Sequence, residues 1–149
     1  MANISFAFER SETDAPHGFE LGDLTVVIDP GLSVTSKGRT PDAGMMIYIS
    51  MGDLMDGVAS LLSGDRQYHF VGTDSSFSLH FKASKRGIEI RQGKIELGIF
   101  DPCALVSQVV ADVDRFWSAH PLFEGDAVFN DVKYSREKLR KALIGPTRG

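Results

Sequence analysis

A lone cysteine, Cys103, leaves no partner for an internal disulfide. The fold must therefore be held by burial alone, and such thiol scarcity suits a reducing compartment. No run of about 18 apolar residues occurs, which argues against a membrane-spanning helix. The opening Met-Ala-Asn-Ile-Ser-Phe-Ala-Phe-Glu lacks the basic stretch and apolar core of a secretory signal. The expectation is a soluble, cytoplasmic protein without membrane association. The fifteen glycines are scattered through turns. None falls into the G-x-G-x-x-G or G-x-x-x-x-G-K-[ST] spacing that cradles phosphate, and neither an EF-hand loop nor H-E-x-x-H occurs. G-x-S-x-G elbows and cysteine–histidine family signatures are missing as well.

What is present suits one globular domain. At 149 residues, 42% hydrophobic and 24% charged, the chain can bury a core without metals or disulfides. No linker or repeat divides it, and residues 145–149 read as a flexible tail. The net charge of −4 is unevenly spread. Residues 1–66 hold ten acids against four bases, whereas residues 133–149 hold six bases against one acid. An acidic front half argues for a basic protein partner and against nucleic acid. The basic C-terminal stretch has only Tyr134 as an interleaved aromatic, so it reads as an amphipathic surface helix.

The strongest pattern runs from Gln67 to Ile99. Phe70, Phe77, Leu79, Phe81, Ile88, Ile90, Ile95, Leu97 and Ile99 alternate with polar residues, as one buried face of a sheet requires. Short turns at Asp74-Ser75, Ser84-Lys85 and Gln92-Gly93 make this a four-stranded antiparallel meander. Pairing about those centres sets Phe70 opposite Leu79, Leu79 opposite Ile90, and Ile90 opposite Ile95. On the other face it aligns His69, His80, Glu89 and Glu96 in one row, because a slip of one residue would expose the apolar set.

Elsewhere, Ile4, Phe6 and Phe8 alternate in a first strand, residues 10–23 form a loop, and Leu24–Ile28 and Leu32–Ser36 give two more strands. Residues 37–44 form a second open loop, and the apolar Met45–Ile49 reads as a central strand. A helix over 51–63 is expected, capped by Ser50 and Asp53 and stopped by Gly64, with Gly57 permitting close approach to the sheet. Asp101-Pro102 opens a second helix over 102–119. Ser135 caps a short C-terminal helix. The sum is an α+β domain with the two main helices packed on one face of antiparallel sheet.

The row on the meander is the best candidate site. His69, His80 and Glu89 are ligand types for a divalent transition metal such as zinc, with Glu96 completing a ligand-binding face. Three rungs at about 4.8 Å span about 10 Å, too wide for one ion unless twist draws them together. A solvated polar face with local ion pairs is the simpler reading. Cys103 reads as a small packing residue, Asp53 as a cap, Asp56 as a solvent-facing helix residue, and Asp112 and Asp114 as structural, since residues two apart share no helix face. No catalytic residue and no cofactor is assigned. The expected function is a non-enzymatic, protein-binding or regulatory module of bacterial type, such as an immunity-like inhibitor. The alternatives are a small metal- or ligand-dependent enzyme using the His/Glu face and a structural homo-oligomer subunit.

Overall fold

A computed structural model describes residues 3–38 and 44–144. The expected tail and most of the 37–44 loop lie outside the described residues. The chain is α+β, in the order β1 (Ile4–Arg10), β2 (Leu21–Ile28), β3 (Leu32–Thr35), β4 (Met45–Met46), α1 (Ile47–Leu62), β5 (Gln67–Val71), β6 (Ser78–Ser84), β7 (Gly87–Gln92), β8 (Ile95–Phe100), α2 (Pro102–Ala119) and α3 (Phe129–Ile144). Sheet A follows the order β1-β2-β3, with β4 also paired to β2, and sheet B is the meander β5-β6-β7-β8. All pairings are antiparallel.

Alternation places Ile4, Phe6, Phe8, Leu24, Val26 and Ile28 of sheet A in the core. Phe70, Leu79, Phe81, Ile88, Ile90, Leu97 and Phe100 of sheet B join the same cluster. Each such side chain contributes about 1.5–3 kcal/mol on burial. The loop between β1 and β2 is shorter than the expected 10–23, because Arg10 still pairs with Gly22 in the ladder.

The helices cover these faces. α1 lies against β5 and α3, and α2 runs along β1. Two starts differ from the expectation. The apolar run at 45–49 is a strand for two residues only and then becomes helix, since an unbroken apolar run has no period to separate a buried strand from a buried helix. Met46 caps α1 without a side-chain bond, and the Ile47 amide instead donates to the Glu20 carbonyl at 3.1 Å. Ser50 is therefore not a cap. It is buried inside the helix, and its Oγ accepts the Thr73 amide at 2.8 Å. Ser135 is no cap either, and α3 is not short. Asp126 opens its N-terminal turn, accepting the Val128 amide on its side chain and the Phe129 amide on its carbonyl.

Two expectations hold closely. Asp101 Oδ2 accepts the Ala104 amide at 2.9 Å, ahead of a proline in the first turn. Gly57 gives Tyr68 its place, since a Cβ there would lie 2.1 Å from the ring.

Candidate functional site

Sheet B turns its apolar face inward and leaves His69, His80, Lys82, Glu89, Arg91 and Glu96 on the other side. The first hairpin pairs as the alternation requires, with His69 opposite His80 and Phe70 opposite Leu79. The next two pairings are displaced. His80 faces Arg91 rather than Glu89, and Lys82 faces Glu89. Arg91, not Glu89, faces Glu96, and Ile95 pairs with Gln92 rather than Ile90. The row across the sheet is thus His69–His80–Arg91–Glu96.

Turn chemistry explains the displacement. The β6–β7 turn is Lys85-Arg86, one position later than expected, closed by the Ser84–Gly87 pair. Ser84 Oγ accepts the Arg86 amide at 3.2 Å, and Gly87 adopts a φ of 138°. Moving a turn by one position shifts the partners by two, which preserves the faces and changes only who meets whom. The β7–β8 turn likewise moves to Gly93-Lys94, with Gly93 at a φ of 58°.

A β-bulge then resets β8. Arg91 pairs with Glu96 but Ile90 pairs with Gly98, leaving Leu97 as the extra residue. An extra residue reverses the alternation beyond it. Leu97 and Phe100 are therefore the buried residues of β8. Ile95 and Ile99, expected inward, are not: Ile95 is 47% exposed, and Ile99 pairs with Glu89 on the outer side.

The bulge, with the side-chain-free Gly98, leaves a hollow of about 320 Å³ on the outer face, lined by His80, Lys82, Arg86, Glu89, Arg91, Glu96 and Ile99, among others. Desolvation first, then Arg91, His69 and Lys82, hold the His80 imidazole below the ordinary histidine range. The two histidine rings stand 5.9 Å apart and tilted. A base intervenes between His80 and Glu96, and Glu89 is opposite another base. Among the described residues no three His, Cys, Asp or Glu side chains converge on a position for a metal ion.

Ion pairs tie together other parts of the molecule. Arg10–Glu20, Lys37–Glu9, Arg115–Asp112, Arg136–Asp114, Arg140–Asp114 and Lys138–Asp56 are ion pairs. Lys82, Arg86, Glu89, Arg91 and Glu96 make no such pair among the described residues, although acids and bases alternate across the strands.

Asp53, Asp112 and His17 are held by hydrogen bonds within the fold, whereas Cys103 is not the packing residue expected. Cys103 is exposed. Asp53 accepts a long bond from Thr73 Oγ1 at 3.4 Å, and burial, then the neighbouring Asp56, raises its carboxyl above the usual range against that bond. Asp112 is buried and accepts the Phe6 amide at 2.7 Å, Gln108 Nε2 at 3.0 Å and Arg115 at 2.6 Å. It satisfies a backbone donor on β1, an edge strand of sheet A. His17 meets Glu12 at 3.2 Å, and Phe19 beside it is 56% exposed. The buried Arg10–Glu20 pair was not legible as a unit; the only sign of it is two opposite charges bracketing one loop.

No protein-family model, curated protein or solved structure matches the chain.

Proposed function

We propose that this chain is a non-enzymatic binding module that meets a protein partner through the outer face of sheet B. The observation that supports this is the set of unpaired charges around the hollow, carried on a hydrogen-bonded platform whose opposite face is locked in the core. A pleated sheet fixes where these side chains leave the backbone, so no backbone has to be ordered on binding. The basic-partner argument drawn from the acidic front half loses force in the fold. The acids Glu9, Glu20 and Asp56 are paired internally, Asp56 with a base of α3.

The test is co-purification from the source organism of the parent chain and of a Lys82→Glu, Arg91→Glu variant. Both residues are exposed, so the variant should fold. The reading expects a partner at near-stoichiometric amount with the parent and its loss with the variant. Retention of the partner by the variant would remove sheet B from the reading, and a parent that purifies alone would overturn it.

A further inference from the structure

The hollow on sheet B is lined by three bases and two acids, a net positive lining in an acidic molecule. Residues 67–100 contain five Lys and Arg against three Asp and Glu, while the chain as a whole is at −4. Three of the five bases, Lys82, Arg86 and Arg91, line the hollow, and none makes an ion pair among the described residues. We propose that the hollow receives the carboxylates of an acidic, extended segment of the partner protein. This rests on the sheet-B reading above and adds the partner's chemistry.

The spacing fits such a segment. The His80–Arg91 rung and the Lys82–Glu89 rung lie two residues apart along the strands, about 7 Å. Acids at alternate positions of an extended chain share one side at that same spacing of about 7 Å. Arg91 can grip one carboxylate through its planar fork, and Lys82 or Arg86 can meet the next as a point charge. Burial first, and then Arg91, His69 and Lys82, hold the His80 imidazole at the edge of the hollow below its ordinary range. Glu89 and Glu96 oppose a uniform polyanion and so select the position of each acid. Nucleic acid fits less well, because those glutamates would face its phosphates and, among the described residues, no Phe, Tyr or Trp lines the hollow for base stacking.

The experiment is amide chemical-shift titration of the whole labelled chain. The probes are an uncharged-ended peptide of about ten residues with Glu at alternate positions, its Lys counterpart, and a short oligothymidine. The expected result is saturable shifts confined to residues 80–99 with the Glu peptide alone. Lys82→Glu with Arg91→Glu should weaken that binding about tenfold or more while leaving the other resonances in place. Equal binding of the Lys peptide or the oligonucleotide would overturn the proposal, as would saturable shifts centred elsewhere or none at all. Failure of the Glu peptide alongside charge-dependent partner loss would discard the acidic chemistry and keep the sheet-B reading. Peptide binding at the hollow by a chain that purifies without a partner would keep the chemistry and discard that reading.

Discussion

Glu20 is fully buried beside Arg10, with Nε at 2.7 Å from one carboxylate oxygen and a second guanidinium nitrogen at 3.0 Å from the other. The hydrogen bond to Glu20 raises Arg10 further above its already high range. The same carboxylate accepts the His17 amide at 2.9 Å, so one side chain ties Arg10 to the backbone of the β1–β2 loop. Glu20→Ala should cost about 3–5 kcal/mol in urea unfolding, because it strands a nearly buried guanidinium. The paired replacement Arg10→Met with Glu20→Leu should recover much of that loss, since no charge is then left without a partner. His80 makes a prediction of a different kind. Its folded-state titration lies below the ordinary 6.5 through burial, Arg91, His69 and Lys82, so it is neutral at pH 7. Falling pH then adds a positive charge to the hollow while glutamates on a ligand remain ionised. Affinity for the Glu peptide should therefore climb as pH drops from 7 toward 5, and His80→Gln should flatten that rise. An unchanged slope in the variant would show that His80 is not the group responsible.

At the level of elements, the alternation of the meander was readable and its partners were not. Period two fixes which face Phe70, Leu79, Phe81 and Ile90 occupy, and the apolar cost of exposing them enforces it. Nothing in that period separates a turn at Ser84-Lys85 from one at Lys85-Arg86, because either leaves the same residues buried. The deciding contacts are those of Gly87, whose φ is 138° and whose absent Cβ leaves room for the Phe100 carbonyl, 2.6 Å from where that atom would sit. The bulge at Leu97 was invisible for a related reason: Ile95, Leu97 and Ile99 form a clean alternation that the extra residue interrupts in space. The candidate row kept three of its members, His69, His80 and Glu96, and exchanged Glu89 for Arg91. Helix α2 was read to its ends because its cap is a side chain, whereas α1 begins on backbone alone. Gly57 offers a direct check of helix-to-sheet packing. Gly57→Ala should destabilise by about 1–3 kcal/mol through collision with Tyr68. In a Tyr68→Ala background the same change should stabilise by up to about 1 kcal/mol, as ordinary helix propensity predicts. Thermal unfolding of the four variants would show whether the sign reverses.

Across the whole molecule, the uneven charge of the sequence resolves partly into internal complementarity. Arg136 and Arg140 of α3 both reach Asp114 of α2, Lys138 reaches Asp56 of α1, and Arg136 also stacks over Trp117. Three bases of α3 are thus paired with acids of α1 and α2. Such half-exposed pairs are worth about 0–1 kcal/mol each; their weight lies in orienting α3 rather than in stability. On the outer face of sheet B, Lys82, Arg86, Glu89, Arg91 and Glu96 make no ion pair among the described residues, on a sheet whose other face is fixed in the core. The most direct measurement is photocrosslinking in the source organism from a benzophenone side chain at position 82, beside a second chain carrying it at Asp29, an exposed site in the β2–β3 turn of sheet A. The expected result is a discrete protein adduct from position 82 and none from position 29. An adduct from position 29 alone, or from neither position, would contradict it.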